Sequence, residues 1–419
     1  RHIDGKGKVL FCRGMSEELM ENGELIVENR GSAWREYKLD DFARINPTER
    51  LPKGILAKKI PMEALQPFTK KISLYLNEEY KGGVKFRNGD TVMARITPSL
   101  ENGKTSYVDI FDDDETGFGS TEFIVLRERE NISNSHFLYY LTISPEVRDI
   151  AILSMTGSSG RQRVQTDVVK EHELIAPPLP EQKAIADVLS ALDDKIDLLH
   201  RQNKTLEQMA ETLYERWVSD KEYDSSIKDL VNIQNGYAFK SKDFQEFGSD
   251  RILKIKNISR CIVDIQITDF VSSKTIAKVD DRFFINEGDV LFAMTGAKIG
   301  KMGIIPKTEN PLWLNQRVGL FKEKYKGARF FAYLHLKSDW GLDYIENTAT
   351  GSAQPNISRT GIESCEFPKF GYDEIKEYSE QLGLLFDGVI FNLGKIHTLQ
   401  SLRDTLLPKL MSGEVRVTQ

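Results

Sequence analysis

The chain has 419 residues, of which 40% are hydrophobic and 29% are charged, with a net charge of −6. This composition suits a globular protein of two or three domains and shows no apolar run near the roughly 18 residues that span a bilayer. The acidic balance counts against nucleic-acid binding, because a domain that binds DNA is usually basic, although a net value does not describe local faces and a partner could supply the phosphate contacts. Three widely spaced cysteines form no CxxC pair, so we predict a cytoplasmic chain without disulfides or a metal site.

After a polar N-terminal extension at residues 1–31, the sequence repeats itself with a period of about 195 residues, which is typical of a duplicated half and too long for a solenoid. Asn88-Gly89-Asp90 precedes the strand-like TVMA, as Glu287-Gly288-Asp289 precedes VLFA. The same order of strand, aromatic helix and Gly/Ser-rich loop then follows in each half. These segments are STEFIVLR, HFLYYL and TGSSGRQRV in the first half and NQRVGLF, ARFFAYLHL and TGSAQPNIS in the second.

This order predicts an α+β protein made of two globular domains, each followed by a long helix, with a pseudo-twofold internal repeat. We place the first globular domain at 32–176 and the second at 220–369. The helix that connects them is predicted at 177–219, and the closing helix at 370–419.

The first long helix has the start signals Pro180 and Glu181, followed by more than four heptads with apolar a and d positions, as in a coiled coil. The second long helix continues the same pattern. Pro408 is predicted to end or kink it, and Gly413 is predicted to stop it.

Each long helix has one asparagine at a heptad core position, Asn203 in the first and Asn392 in the second. If the helices pair antiparallel with these residues opposite each other, the pair fixes the register, and Arg403 falls opposite Leu192 in an awkward layer. The alternative is that each helix packs only on its own domain. The first helix rises about 48 Å over its heptads at roughly 1.5 Å per residue, which is long enough to hold the two globular domains further apart than the roughly 34 Å of one DNA turn.

Motifs for catalysis are incomplete. The segment Asn310-Pro311-Leu312-Trp313 lacks the second proline of an amino-methyltransferase loop, and GAKIGK from Gly296 lacks the spacing and the Ser/Thr of a phosphate-binding loop. No Ser/His/Asp or Cys/His arrangement stands out. We therefore predict a binding protein with no catalytic residues, no cofactor and no metal of its own.

Three segments carry a family resemblance: PPLPEQKAIADVLSALDDKID from Pro177, LYERW ending at Trp217, and LRDTLLPKLMSGEV from Leu402. They resemble the DNA-specificity subunits of type I restriction–modification systems. The resemblance implies two target-recognition domains that read one bipartite, asymmetric DNA site, with paired helices that set the spacer. It also implies two modification subunits, which bind S-adenosylmethionine and methylate adenine at N6, and motor-nuclease restriction subunits in the same assembly.

Loop residues with hydrogen-bonding side chains are the candidates for reading DNA, since Arg and Lys pair with guanine while Asn and Gln pair with adenine. For each candidate the alternative is a loop residue that only caps a turn or contacts the coiled coil. The alignment of the loops matches Gly160-Arg161-Gln162 to Gln354-Pro355-Asn356. The candidates are Arg161, Gln162 and Arg163 in the first half, and Gln354, Asn356, Arg359, Lys298 and Lys301 in the second; Lys70, Lys71, Asn102 and Lys104 are weaker ones.

Other functions remain open at this point. A type IIB-like recognition subunit, or an orphan copy that swaps recognition domains, would have the same sequence features, and neighbouring genes would separate them. A free-standing methyltransferase or nuclease is disfavoured by the missing motifs. A coiled-coil scaffold that bridges two proteins is supported only by the acidic net charge, and salt-dependent DNA binding by the assembled complex would exclude it.

Overall fold

The computed structural model describes residues 34–158, 160–259, 261–266, 268–351 and 355–417. These residues form two compact units: the first unit contains 34–195 and 399–417, and the second unit contains 196–398. Two helices of 40 residues, Leu179–Val218 and Tyr372–Met411, each contribute residues to both units.

The first unit is built from short strands and short helices that precede the first long helix. Its strands are β1 (Arg35–Lys38), β2 (Ala43–Ile45), β3 (Leu56–Ile60), β4 (Leu76–Glu79), β5 (Val84–Arg87), β6 (Thr91–Ala94), β7 (Thr105–Tyr107), β8 (Thr116–Gly119), β9 (Phe123–Glu128) and β10 (Glu173–Ala176). Its helices are α1 (Leu39–Phe42), α2 (Ser135–Ile143), α3 (Pro145–Leu153), α4 (Thr166–Lys170) and the first part of α5 (Leu179–Val218).

Two four-stranded sheets organise this unit. One is antiparallel with the order β2-β9-β6-β7, and the other has the order β4-β3-β8-β5 with β3 and β8 parallel. All of β6 is buried, as the run after Asn88-Gly89-Asp90 predicts. The core joins the aromatic helix α2 to the first part of α5 and the end of the second long helix, through Phe137, Leu189 and Leu410.

The second unit has the same kinds of element. Its strands are β11 (Tyr223–Ser226), β12 (Val231–Asn235), β13 (Phe244–Gln245), β14 (Asp250–Leu253), β15 (Ile258–Ser259), β16 (Cys261–Val263), β17 (Asp269–Val271), β18 (Phe284–Ile285), β19 (Val290–Ala293), β20 (Met302–Ile304), β21 (Leu312–Leu314), β22 (Val318–Glu323) and β23 (Glu366–Pro368). Its helices are α6 (Ser273–Ile276), α7 (Ala328–Lys337), α8 (Asp339–Thr348), α9 (Arg359–Glu363), the remainder of α5 and most of α10 (Tyr372–Met411).

The strand orders show the internal duplication. The order β2-β9-β6-β7 returns as β12-β22-β19-β20, and β4-β3-β8-β5 returns as β17-β14-β21-β18. In both mixed sheets the two central strands are parallel. The antiparallel pair β1-β10 likewise returns as β11-β23. The α+β class and the repeat predicted from sequence are therefore confirmed.

Within the second unit, α5 and α10 run antiparallel. Asn392 Nδ2 donates to Asn203 Oδ1 at 2.9 Å, and the rings of Trp217 and Tyr378 stack with centroids 4.1 Å apart. Residue numbers rise along α5 as they fall along α10 between these two contacts, so the two helices of this coiled coil run in opposite directions. Within the first unit, Asp193 of α5 meets Arg403 of α10 at 2.8 Å.

The end of α10 differs in part from the prediction. The helix continues through Pro408 to Met411, so this proline does not end it. Gly413 does mark the stop, because its φ of 73° lies in the left-handed region and its N–H donates to the Leu410 carbonyl.

Among the described residues, α10 is also the helix that is long and apolar enough to cross a membrane by length and composition. The hydropathy of the sequence predicted no such run. The observation is weak evidence for a membrane span, because a core helix passes the same test and 44% of the apolar window is buried inside the protein.

A buried histidine predicts acid sensitivity of the second unit. His335 is fully buried; its Nε2 faces the Glu366 carbonyl at 2.7 Å and must donate, so Nδ1 accepts from the Tyr214 hydroxyl, also at 2.7 Å. Burial lowers the pKa of His335 to about 4. Between the unfolded pKa near 6.5 and the folded value, the unfolded state binds more protons, so stability is full above pH 6.5 and falls as the pH drops.

We expect this histidine to remove up to roughly 3 kcal/mol of unfolding free energy between pH 7 and pH 4. Denaturant titrations across this range on the full chain and on His335→Gln measure it. The variant should show a shallower pH slope, even if its stability at pH 7 is lower. An unchanged slope would assign the acid sensitivity to other groups.

Candidate nucleic-acid interface

The Gly/Ser-rich loops of the two halves are closed by the same backbone bridge. Thr156 and Arg163 exchange hydrogen bonds of 3.1 and 2.9 Å, and Thr350 and Asn356 exchange bonds of 2.9 and 2.8 Å. Each loop is also tied to the end of the buried central strand of its antiparallel sheet, β6 or β19, through bridges to Ile96 and Thr295. Both loops therefore have their ends fixed by backbone hydrogen bonds.

These bridges correct the alignment of the loops. Thr97 N–H donates to the Gln162 carbonyl at 3.0 Å, and Gly296 N–H donates to the Pro355 carbonyl at 2.8 Å. Gln162 therefore matches Pro355, and Arg163 matches Asn356. The sequence alignment matched Gln162 to Asn356 because the first loop has one residue more between its bridged ends, 156 to 163 against 350 to 356.

The candidates of the first half differ in availability. Arg161 is exposed, and among the described residues no hydrogen bond or ion pair is formed by its guanidinium. Arg163 is half-exposed and forms an ion pair with Glu122, with Nη2 to Oε1 at 2.6 Å. The hydrogen bond from Arg163 lowers the pKa of Glu122. Gln162 is partly buried, and its backbone N–H donates to Thr97 Oγ1.

The second half has a polar cleft of about 810 Å³ at the matching place. Asn356 is exposed in it, and Gln354 lies outside the described residues. Asn, Gln and Arg residues line it together with apolar residues. The lining residues are Asn235, Gly236, Ala238, Met294, Thr295, Gln316, Arg317, Asn356, Ile357, Ser358, Arg359 and Thr360.

Arg359 is held at the start of α9. Its Nε donates to Glu363 Oε1 at 3.0 Å, and that buried carboxylate also accepts the Ile233 N–H at 2.8 Å. The guanidinium remains half-exposed while one edge is held by the carboxylate. This arrangement fixes the direction of Arg359 and leaves its other N–H groups for a ligand.

The candidate lysines are less uniform. Lys298 Nζ donates to the backbone carbonyls of Lys256 and Ile258 at 2.8 and 2.9 Å, and burial lowers its pKa. Lys301 is exposed at the start of the β20 hairpin. Lys70 is a correction: it is only 7% exposed and donates to Ser190 Oγ at 2.7 Å, so it is not a surface cation.

Gln316 and Arg317 were missed by the sequence analysis, which placed them inside a strand. The strand β22 begins only at Val318, and both residues are exposed in the segment that leads into it. The signal was present as the polar triplet Asn315-Gln316-Arg317 at the head of an apolar run.

The sequence matches the family described as "Type I restriction modification DNA specificity domain" twice, at residues 31–208 and 219–368. The chain belongs to this family of type I specificity subunits. Membership confirms the resemblance and gives the chain a role in DNA sequence recognition within a family that is not itself catalytic.

Curated relatives and a solved structure agree. The chain is 25% identical over 324 residues to the type I restriction enzyme MjaVIII specificity subunit of Methanocaldococcus jannaschii, covering 72% of this chain and 75% of the relative. It is 22% identical over 463 residues to the HindI specificity subunit of Haemophilus influenzae, covering 92% and 100%. The crystal structure of the type I S subunit from M. genitalium has a TM-score of 0.52 at 15% identity and covers 90% and 96% of the two chains, which shows that the fold is shared.

Proposed function

We propose that this specificity subunit reads one bipartite, asymmetric DNA site, with the recognition domain at 32–176 on one half-site and the domain at 220–369 on the other. The helices at 177–219 and 370–419 set the spacer and dock two methyltransferase subunits. The observation that carries the proposal is the polar loop that recurs, with the same backbone bridge, at the same place in matched sheets of both halves. Loops on a rigid scaffold are where binding residues concentrate.

The side chains at these loops have the chemistry of base recognition. Arg pairs with guanine O6 and N7, Asn and Gln pair with adenine N6 and N7, and lysines hold phosphates. The chain's net charge of −6 implies that partner subunits supply part of the phosphate contact. The proposed contacts come from Arg161, Gln162 and Arg163 in the first half and from Gln354, Asn356, Arg359, Lys298 and Lys301 in the second.

The partners follow from the family role. Two modification subunits bind S-adenosylmethionine and methylate adenine at N6, and restriction subunits join the complex in the cytoplasm. This chain contributes recognition and geometry to that reaction and binds no cofactor.

The pair of asparagines, Asn203 and Asn392, is suited to fixing the alignment of the two long helices. Asn203 Nδ2 is buried and has no hydrogen-bond partner among the described residues, so the pair is not optimal for stability. A polar pair inside an apolar seam is satisfied only when the two residues lie opposite each other, which disfavours shifted alignments of the helices. We infer that Asn203 and Asn392 keep the spacer length constant.

Methylation mapping tests the function. The chain is expressed with its modification subunit in a host without adenine methylation, and N6-methyladenine is mapped across the genome. One bipartite motif that disappears when this chain is omitted is the expected result. A correctly assembled complex that methylates no such motif contradicts the proposal.

The docking role predicts an effect of two apolar residues on the outside of α10. Leu384 is 74% exposed and Phe391, one heptad later, is 54% exposed, so both lie on one face of the helix. Replacing both by Glu should weaken binding of the modification subunit by about 30-fold, because the loss of an apolar interface residue costs on the order of 1 kcal/mol and two are changed.

Binding is measured by titrating the purified modification subunit against the full chain. The matched control is Leu153→Glu, which alters a residue that is 80% exposed and belongs to α3, not to a long helix. Equal affinities for the double variant, the control and the original chain would place the docking surface elsewhere.

A further inference from the structure

The two halves carry different charges at one matched position. In the first half, Arg95 N–H donates to the Glu122 carbonyl at 2.9 Å; in the second, Met294 N–H donates to the Arg317 carbonyl at 3.3 Å. Both residues lie just before the strand that pairs with the buried central strand. Glu122 and Arg317 therefore occupy the same place in the repeat.

Their neighbours on the loops also match. Val164 N–H donates to the Arg95 carbonyl at 2.9 Å, and Ile357 N–H donates to the Met294 carbonyl at 3.0 Å. The residues just before them, Arg163 and Asn356, are thus equivalent. The first half presents Glu122 beside Arg163, and the second presents Arg317 beside Asn356.

This difference changes which side chains can bind a ligand. In the first half, Arg163 and Glu122 bind each other through contacts of 2.6 to 3.0 Å. In the second half, Arg317 is exposed and, among the described residues, its guanidinium has no hydrogen bond or ion pair. The carboxylate of Glu363, at the end of α9, is already bound by Arg359 and by the Ile233 N–H.

An exposed guanidinium that lines the same cleft as two amide side chains is suited to a base edge. Gln316 precedes Arg317 in the chain, and Asn356 lines the same cleft. Arg presents parallel N–H donors that match guanine O6 and N7, while Gln and Asn match adenine N6 and N7. A phosphate would be satisfied by the arginine alone, without the amide groups.

We propose that Arg317 is a specificity-determining residue of the second half, which reads a guanine in its half-site, with Gln316 and Asn356 contacting the adjacent bases. This inference rests on the proposed function and adds to it a residue and a base. Of the two arginines in the first loop, Arg163 is bound by Glu122, which leaves the guanidinium of Arg161 for a ligand.

The test is a methylation map of the full chain, assembled with its modification subunit, carrying Arg317→Ala, Arg317→Lys or Arg161→Ala. Arg317→Ala should make one guanine position of the motif degenerate and lower methylation of the original site roughly 5- to 150-fold. Arg161→Ala should relax a position in the other half-site only. Lys274→Ala, an exposed cation on α6 outside the cleft and outside the long helices, is the control and should leave the motif unchanged.

Three results would overturn the inference. One is an unchanged motif in Arg317→Ala. Another is uniform weakening at every sequence together with near-normal behaviour of Arg317→Lys, which would make Arg317 a phosphate contact. The third is relaxation of the same half-site by Arg317→Ala and Arg161→Ala. If the original chain itself directs no bipartite methylation, the proposed function fails first, so the two failures are distinguishable.

Discussion

Replacing Arg403 by methionine should lower the unfolding free energy of the first unit by about 3–5 kcal/mol, because a buried carboxylate would lose its counter-charge. Arg403 is 6% exposed and Asp193 is 8% exposed, and Arg403 Nη1 lies 2.8 Å from Asp193 Oδ1. The other carboxylate oxygen accepts the Tyr140 hydroxyl at 2.6 Å. That bond remains in the variant, but a neutral hydroxyl does not balance a buried charge.

Lysine at this position should recover only part of the loss. The guanidinium binds Asp193 and the Phe68 carbonyl through Nη1, and it binds Asp404 through Nε and Nη2. An ammonium is a point charge on a flexible stem and cannot reach these three acceptors together. Arg403→Lys should therefore lie between the methionine variant and the original chain.

Guanidinium chloride titration followed by circular dichroism gives the unfolding free energies. The matched control is Arg201→Met, which breaks an exposed ion pair with Asp197 on α5 and should change stability by less than about 1 kcal/mol. If Arg403→Met is no more destabilising than this control, the buried pair contributes nothing to the first unit.

Arg403 also shows how far the heptad pattern predicts the helices. The periodicity is a local property of the sequence, so it predicted two long helices and their antiparallel pairing with Asn203 beside Asn392. It placed Arg403 opposite Leu192, which is an unfavourable neighbour. In the structure Arg403 binds Asp193, the residue that follows Leu192. Its long side chain extends past the apolar layer, so the guanidinium meets this carboxylate.

The candidate site was less predictable, because it depends on contacts between segments far apart in the chain. Asn315 N–H donates to the Leu253 carbonyl and Gln316 N–H to the Tyr237 carbonyl, so this segment leaves the sheet and Arg317 is displayed. An apolar run beginning at Val318 does not record those bonds. The alignment of the two loops could not be predicted from the sequence for the same reason. The additional residue in the first loop is recognised only from the backbone bridges that close the two loops.

The turn before the buried strand occurs in both halves, with Asp90 before β6 and Asp289 before β19. The same substitution in the two turns therefore gives a second stability prediction with its own control. Asp90 is fully buried and accepts Arg127 Nε at 2.6 Å, Arg127 Nη2 at 2.7 Å and the Arg87 N–H at 2.8 Å. Arg127 is 7% exposed and is also bound by Glu49. Asp90→Asn keeps the shape of the side chain but removes its charge and turns an amide donor toward the guanidinium.

We expect Asp90→Asn to destabilise the first unit by about 3–5 kcal/mol, since it breaks a buried, bidentate charge pair by removing one partner. Asp90→Ala should be at least as damaging, because the Arg87 N–H then loses its acceptor too. Both values come from denaturant titrations of the full chain at pH 7, in which the transition of the first unit moves and that of the second does not.

Asp289 is the equivalent residue of the second half, and the same substitution should have almost no effect there or a favourable one. Its hydrogen bond from the Asn286 N–H, at 2.8 Å, can be accepted equally well by an amide oxygen. Burial raises the pKa of Asp289, so its ionised form is disfavoured in the folded state. The cost of ionising it therefore lowers the unfolding free energy as the pH rises above the pKa that Asp289 has in the unfolded chain. Asp289→Asn should remove that cost and flatten the pH dependence of the unfolding free energy above pH 4. If Asp90→Asn and Asp289→Asn are equally destabilising, the turn, and not the Asp90–Arg127 charge pair, determines the stability of each half.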